Sequence, residues 1–286
     1  MPYTLHPAIK LGEFQIKVSK LERSIEFYEK VIGFKLLKQE ANKAYLTVDE
    51  KNPLLILHEI DDAKVLPPNR TAGLYHFALL LPSREELGLL VKNILSYKIP
   101  LGSGDHLVSE AFYLSDPDQN GIEVYVDRPK ENWKKNEDGH YIMTTKPVDA
   151  QSMLDLVLHD QLQSLPSTTK LGHVHFHAHS VRESVQFYRK IIGFDVTLDM
   201  SRMGAVFMSA GGYHHHIAVN RWAGERAPLR PAAAVGLDYY TIVLPTKEEM
   251  NQFEQHLQSQ NINYHVKQGE LSLIDPNGIQ IRVVTD

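Results

Sequence analysis

Apolar and polar positions recur in the same order in two distant segments of the chain. Residues 11–34 read LGEFQIKVSKLERSIEFYEKVIGF and residues 171–194 read LGHVHFHAHSVRESVQFYRKIIGF, which align without a gap at an offset of 160 residues. In both segments an extended stretch precedes a 3.6-residue apolar pattern, which predicts a strand and then an amphipathic helix ending at Gly-Phe. Six of the eight residues in FYEKVIGF and FYRKIIGF are identical, so the chain contains an internal repeat.

A second pair of segments repeats at an offset of 163 residues. GLYHFALLLP at 73–82 corresponds to GLDYYTIVLP at 236–245, and each is followed by a helical pattern, an Asp-Pro turn and a strand. The chain therefore contains four modules of one plan, strand–helix–strand–strand–strand. We call them modules one to four, and they begin near residues 11, 73, 171 and 236.

These modules predict an α+β fold in two domains. Modules one and two would form a first domain over residues 9–128, and modules three and four a second domain over residues 169–286. The polar stretch between them, residues 129–168, is interpreted as a linker with one short helix near 149–162.

Histidines alternate with other residues in LGHVHFHAHS, at the start of module three. His173, His175, His177 and His179 occupy every second position, so a strand would place all four on one face. Imidazole is the commonest metal ligand among side chains. The pattern leaves open a metal-binding strand, a solvent-facing strand, or coincidence in a chain with 15 histidines.

Composition narrows the classes of function. The 286 residues are 43% hydrophobic and 23% charged, as in soluble globular proteins, and the net charge of −5 gives no reason to expect nucleic acid or an anionic membrane as partner. No apolar run is long enough to span a membrane, and no signal peptide is recognisable, so a cytoplasmic protein is expected. The absence of cysteine means that His, Asp or Glu must hold any metal.

The segments LGHV…SVQFYRKIIGF and DPDQNGIEVY resemble those of the vicinal-oxygen-chelate superfamily, which includes glyoxalase I, bleomycin-resistance proteins and type I extradiol dioxygenases. The resemblance spans all four modules and is closest to two-domain catechol 2,3-dioxygenases. It implies βαβββ modules that pair into two half-open barrels, in which first and last strands supply the ligands of a divalent metal. In the extradiol enzymes these ligands are two His and one Glu on Fe(II).

The resemblance places candidate ligands unevenly along the chain. The first-strand ligand position falls on Glu13, His76, His173 and Tyr240 in modules one to four, and the last-strand position on Glu123 in module two and Gln280 in module four. Modules two and three together therefore hold His76, Glu123 and His173, a triad that suits Fe(II), with Mn(II) as an alternative. The usual pairing of one with two would assemble Glu13, His76 and Glu123 instead. We favour pairing of two with three, which leaves one and four in a metal-free barrel.

The resemblance also implies catalytic side chains beside the metal. In GGYHHHIAVN, His215 matches the active-site histidine of extradiol enzymes, where it would move protons. In GSGDHLVSEAFYLSDPDQNGIEVY, His106 and Tyr113 match residues that would hold the oxygens of a ring substrate. His175 is interpreted either as a residue of the pocket wall or as one that contacts the metal ligands, whereas His177 and His179 are expected near the barrel rim or solvent.

Three functions remain open at the level of sequence. The favoured one is an Fe(II)-dependent extradiol dioxygenase whose partners are a small aromatic diol and O2, and which could form a homo-oligomer. A glyoxalase-like isomerase or lyase would need a second carboxylate, which HHHIAVN in module three lacks. A metal-free protein that binds an aromatic compound is the third alternative.

Overall fold

The computed structural model describes residues 3–157 and 161–286. Each predicted module has the predicted order of one strand, one helix and three strands. Sixteen strands result, numbered here in chain order: β1 Lys10–Val18, β2 Lys35–Glu40, β3 Lys43–Thr47, β4 Pro53–Glu59, β5 Gly73–Leu80, β6 Gly102–Asp105, β7 Ser109–Ser115, β8 Gly121–Asp127, β9 Lys170–His177, β10 Asp195–Met200, β11 Ala205–Ser209, β12 Ile217–Asn220, β13 Gly236–Leu244, β14 His265–Lys267, β15 Glu270–Ile274 and β16 Gln280–Thr285.

The strands form two curled eight-stranded sheets, which agrees with the predicted α+β fold of half-open barrels. The histidine sheet contains modules two and three in the order β10-β11-β12-β9-β5-β8-β7-β6. The companion sheet contains modules one and four in the order β14-β15-β16-β13-β1-β4-β3-β2. The prediction that two pairs with three, and one with four, is therefore confirmed, and the alternative pairing of one with two is wrong.

In each sheet, the first strands of the two modules pair in antiparallel fashion and so join the modules. β5 pairs with β9 in the histidine sheet, and β1 pairs with β13 in the companion sheet. The domain bounds 9–128 and 169–286 stay a prediction, and each of those segments contributes one module to each sheet.

The two sheets pack against each other through apolar residues on one face of their first strands. The ring centroids of Phe14 and Phe77 lie 4.7 Å apart, and those of Phe176 and Tyr240 lie 5.9 Å apart. Because side chains alternate along a strand, these contacts turn the neighbouring polar residues to the opposite, concave face. The histidines of β9 therefore line a concave surface, which we call the cup.

Helices cover the sheets, and all of the α-helices named here except the first begin at a residue whose side chain caps the helix. They are α1 Leu21–Phe27, α2 Arg84–Ser96, α3 Ala150–Leu154, α4 Val181–Phe187 and α5 Lys247–Ser259. The side chains of Ser83 and Thr246 accept hydrogen bonds from the backbone three residues later, at the starts of α2 and α5. In modules one and three a π-helical turn follows α1 and α4 and ends at Gly33 and Gly193, both with positive φ.

The repeated Tyr of FYEKVIGF and FYRKIIGF has a structural role. Tyr28 donates a hydrogen bond to Asp116 (3.0 Å), and Tyr188 donates one to Asp275 (2.9 Å). All four residues are buried. Each tyrosine thereby ties a helix of one sheet to an Asp-Pro turn of the other sheet, which explains why both the helix motif and the turn motif repeat.

The segment between modules two and three is mostly irregular, as predicted. Its helix α3 is shorter than the predicted 149–162, and residues 158–160 of that prediction lie outside the described residues. Within the described ranges, no helix combines the length and apolar character needed to cross a membrane.

Candidate metal centre

Three buried side chains from three strands meet at the centre of the cup. His76 lies on β5, Glu123 on β8 and His173 on β9. Within residues 3–157 and 161–286, these three form the one cluster of His, Cys, Asp or Glu whose candidate ligand atoms all lie within 4.8 Å of one another. The structure thus brings together the three residues predicted as metal ligands, which come from modules two and three.

The geometry of the cluster fits one six-coordinate cation. Nε2 of His76 lies 3.0 Å from Oε2 of Glu123, and Nε2 of His173 lies 3.1 Å from the same oxygen. Ligands about 2.1 Å from a metal and at right angles to each other are about 3 Å apart. The contact of the buried His76 Nε2 with Glu123 does not have the geometry of a hydrogen bond, so this nitrogen has no hydrogen-bond partner among the described residues. An unsatisfied buried imidazole nitrogen is costly in a protein interior and is well explained by a ligand.

The protonation states of the cluster are those that a metal needs. Burial raises the pKa of Glu123, but the neighbouring His173 and His76 lower it more, and the net pKa lies well below the usual value. Burial lowers the pKa of His173 to about 4, against the opposing effect of Glu123. At neutral pH the carboxylate is therefore ionised and the His173 imidazole is neutral, so neither residue has to lose a proton on balance when a cation binds.

His215, predicted as the proton-transfer residue, lies directly beside this cluster. Its ring centroid is 4.0 Å from that of His173, and the side chain is buried. Burial lowers the pKa of His215 well below its usual value, so the ring is neutral at pH 7. Its Nδ1 lies 2.7 Å from Nδ1 of His214, whose Nε2 lies 2.8 Å from Oδ1 of Asp127.

The predicted substrate-binding residues Tyr113 and His106 contact each other at the edge of the cup. Tyr113 on β7 is directly opposite Glu123 on β8. The Tyr113 hydroxyl lies 2.6 Å from Nε2 of His106, whose Nδ1 lies 2.7 Å from the carbonyl of Thr144. Since a carbonyl only accepts, Nδ1 of a neutral His106 carries the proton and Nε2 accepts from Tyr113. Burial and then Glu123 raise the pKa of Tyr113 well above its usual value.

The remaining histidines of β9 differ from expectation in one respect. His175 is buried in the cup wall, where its Nε2 lies 2.8 Å from Nδ2 of Asn220. His177 is also buried, with Nδ1 2.7 Å from Oδ1 of Asn220, so the expectation that it lies near rim or solvent is wrong. β5 pairs with β9 along its whole length, and β12 pairs with its second half, from Val174 to His177. His179 lies beyond β9 and is only partly buried.

The wall of the cup on the β9 side is aromatic. The ring of Tyr75 lies 5.1 Å from that of His175 and 5.4 Å from that of Trp222, and the ring of Phe207 lies 5.0 Å from that of His215. Trp222 is 48% exposed, so this wall reaches from the cluster to the surface. Such surroundings suit a flat aromatic molecule.

Among the residues that the structure describes, the companion sheet has no comparable cluster. The sequence predicts Tyr240 as the ligand position on β13, but the side chain of Tyr240 packs into the core between the sheets. The structure places Tyr239 on the concave face instead, where its hydroxyl donates to Oε1 of Glu13 (2.8 Å). The reason is the repeat itself, because GLYH of module two aligns with GLDY, which ends at residue 239. The guanidinium of Arg282 stacks on the ring of Tyr239, with Cζ 3.5 Å from the ring centroid.

Sequence reasoning missed Asp127, His214 and Gly172. Alternation along β8 could have found Asp127, since Glu123, Tyr125 and Asp127 share one face. The signal for Gly172 exists only in three dimensions: a Cβ there would lie 1.8 Å from the Tyr125 hydroxyl oxygen. Only glycine lets the chain before His173 pass this ring.

Comparison with known proteins is consistent with this site. Residues 10–124 match the Glyoxalase/Bleomycin resistance protein/Dioxygenase superfamily. The chain is 48% identical over 248 residues to a catechol-2,3-dioxygenase of Bacillus subtilis (strain 168), and the match covers 87% of each chain.

Solved structures support the fold. A candidate dioxygenase from Bacillus subtilis subsp. subtilis str. 168 superimposes with a TM-score of 0.65 at 12% identity, covering 96% of this chain and 84% of that chain. Glyoxalase I from Zea mays superimposes with a TM-score of 0.55 at 14% identity, covering 97% of this chain and 92% of that chain.

Proposed function

The chain belongs to the Glyoxalase/Bleomycin resistance protein/Dioxygenase superfamily, and we propose that it is an Fe(II)-dependent extradiol dioxygenase acting on catechol or a substituted catechol. The observation that carries the proposal is the buried group of two imidazoles and one carboxylate, held by three strands of one sheet. The 48% identical catechol-2,3-dioxygenase supports the choice of substrate and of O2 as partner.

His76, Glu123 and His173 would hold the Fe(II) ion and leave it accessible from the cup. When bound, Fe(II) would supply a Lewis acid for the catechol oxygens and a site for reaction with O2. Mn(II) accepts the same ligands and is the alternative metal. Because the imidazoles and the carboxylate come from separate strands, the sheet holds their mutual geometry before substrate arrives.

Protein side chains would accept the protons that the diol loses and donate hydrogen bonds to its oxygens. A catechol must lose protons to become a good chelator, and the neutral His215 is placed beside His173 to accept one at Nε2. On the other side of Glu123, the Tyr113 hydroxyl donates its proton to Nε2 of His106 in the structure, and it would turn this proton to an anionic ring oxygen when a catechol binds. The contact with His106 would keep the hydroxyl oriented until then.

The overall reaction inserts both oxygen atoms of O2 into the ring carbon skeleton. The ring bond that is cleaved joins one hydroxyl-bearing carbon to the adjacent carbon without a hydroxyl. Catechol thereby becomes a ring-opened hydroxymuconic semialdehyde. Exclusion of water favours this outcome over release of reactive oxygen. The aromatic wall of Tyr75, Phe207 and Trp222 provides that shielding on one side of the cup.

One observation disfavours a glyoxalase-like isomerase. In the histidine sheet Ala78 pairs with Glu123, and the equivalent residues of module three are His175 and Ala218. A second carboxylate, which would move a proton in such an enzyme, would have to lie where Ala218 is. A cytoplasmic location and a homo-oligomeric state stay predictions from the sequence.

The test is O2 uptake by anaerobically reconstituted protein with a panel of catechols. We expect one O2 consumed per catechol, with a yellow semialdehyde as product. The control is the same protein reconstituted with Zn(II). Verified Fe(II) occupancy without uptake on any catechol would refute the proposal and leave the isomerase and the binding protein.

A further inference from the structure

We propose that Asp127 and His214 are positioning residues that fix the neutral His215 as the tautomer protonated at Nδ1, with the lone pair of Nε2 free for the substrate. This inference rests on the proposed function for its catalytic consequence. The tautomer itself is a property of the fold and can be measured without turnover.

The first observation is a chain of short contacts on the His215 side of the cup. Oδ1 of Asp127 lies 2.8 Å from Nε2 of His214, and Nδ1 of His214 lies 2.7 Å from Nδ1 of His215. His214 is fully buried, and His215 is 5% exposed. Two buried imidazoles are thereby linked nitrogen to nitrogen, and one proton must lie between them.

The partner of His214 Nε2 indicates which of the two rings carries the proton in the contact between Nδ1 of His214 and Nδ1 of His215. An ionised carboxylate only accepts, so Nε2 of His214 carries a hydrogen and donates it to Asp127. When Nε2–H is the one N–H of the His214 ring, its Nδ1 has a lone pair, which accepts from Nδ1–H of His215. Nε2 of His215 remains unprotonated, and the described residues provide no hydrogen bond to it.

Asp127 is held ready for this role by two tyrosines. The Tyr213 hydroxyl donates to Oδ1 of Asp127 (3.2 Å), and the hydroxyls of Tyr125 and Tyr213 lie 2.6 Å apart. Because the Tyr213 proton is used on Asp127, Tyr125 is the donor in that second contact. Two donors on one carboxylate oxygen stabilise the anion and keep it facing His214.

The arrangement matters because a neutral imidazole has two tautomers of similar energy, and its partner decides between them. With the proton on Nε2, His215 would be unable to accept a proton from a diol at that atom. Second-sphere partners of this kind are typically worth 10–100-fold in activity. We therefore expect loss of the His214 acceptor to lower kcat by about 10–100-fold with little change in KM.

The experiment compares His214→Asn with His214→Leu. Both side chains have similar size, but the Oδ1 of Asn takes the place of Nδ1 as an acceptor, whereas Leu offers none. The tautomer of His215 is measured by long-range ¹H–¹⁵N spectra of ¹⁵N-histidine-labelled, Zn(II)-loaded full-length protein. The His215 signal is assigned by its loss in His215→Gln. Zinc content is measured for each variant.

We expect the proton on Nδ1 in the unaltered protein and in His214→Asn, and a shift toward Nε2 in His214→Leu. Fe(II)-loaded His214→Asn should recover most of the kcat lost in His214→Leu. Asp127→Leu, at a more exposed position, should shift the tautomer in the same direction if His214→Leu fails to fold.

A proton on Nε2 in the unaltered protein would overturn the proposal. So would an unchanged tautomer in both Leu variants. If the Nδ1 tautomer is found but no catechol is cleaved, the proposed function fails while the assignment of the tautomer stands.

Discussion

Nε2 of His173 and Oε2 of Glu123 lie 3.1 Å apart, although the two residues are 50 positions apart and belong to different modules. This contact exists because β5 lies between β8 and β9 in one sheet. The candidate metal centre therefore spans two modules, and its properties can be tested residue by residue.

Removal of one ligand should abolish stable metal binding. Loss of a residue that only hydrogen-bonds to a metal ligand typically lowers metal affinity about 10–100-fold. We expect His76→Ala and Glu123→Gln, which remove ligands themselves, to lower Fe(II) affinity by at least this factor. Metal analysis after anaerobic reconstitution measures this. Glu13→Gln is the matched control, because Glu13 has the corresponding place in the companion sheet and should keep full metal content. Full occupancy in His76→Ala would contradict the assignment of the ligands.

His215→Gln should separate ligation from catalysis. Since His215 lies beside His173 without belonging to the three-residue cluster, the variant should retain its metal. Loss of a general base should lower kcat by about 10²–10⁴-fold. His216→Gln is the neighbouring control and should keep its turnover. Equal kcat values for the two variants would exclude His215 as the proton acceptor.

Tyr113→Phe tests the predicted donor to the substrate. The change removes the hydroxyl bonded to Nε2 of His106 and leaves the ring in place. We expect kcat/KM for catechol to fall about tenfold, as for loss of one hydrogen bond worth about 1–1.5 kcal/mol in the transition state. Steady-state O2 uptake provides the measurement, and Tyr45→Phe in the companion sheet is the control. An unchanged kcat/KM would remove Tyr113 from the site.

Gly172→Ala should destabilise the protein. The added Cβ would lie 1.8 Å from the hydroxyl oxygen of Tyr125, so the strand or the ring must move. Overpacking of this kind costs about 1–3 kcal/mol of unfolding free energy. Urea denaturation of the metal-free protein measures the loss, and Tyr125→Phe combined with Gly172→Ala should recover part of it. Additive effects of the two substitutions would show that this contact is not the cause.

The stability of the metal-free protein should decrease as the pH falls below about 6.5. Burial lowers the pKa of His173 to about 4 and that of His216 to about 3, both from 6.5. The unfolded chain therefore binds more protons than the native protein between these values, so unfolding free energy rises with pH across that window. Each group contributes at most about 1.4 kcal/mol per pH unit.

Urea midpoints between pH 4.5 and pH 7.5 test this pH dependence. His216→Gln should reduce the slope of unfolding free energy against pH, by an amount that corresponds to at most one bound proton. The reason is that the variant lacks one imidazole that is neutral in the folded protein. A slope that is identical in the variant would show that His216 does not contribute.

The sequence by itself determined the four modules, because strand and helix periodicities and Asp-Pro turns are local signals that repeat at fixed offsets. It also predicted His76, Glu123 and His173 as candidate ligands, since the family resemblance acts on single positions, and the structure brings these three residues together. The same local logic misplaced Tyr240, where a shift of one residue turns a side chain from the concave face to the core.

Only the tertiary structure decided what these residues can do together. The pairing of modules two and three could be inferred from the distribution of candidate ligands, but the register in which β5 and β9 meet depends on contacts between segments far apart in the chain. Asp127 and His214 gained their relation to His215 from the meeting of β8 with the loop before β12. Gly172 is required only because the Tyr125 ring crosses its strand, and a steric constraint of this kind appears when the chain has folded.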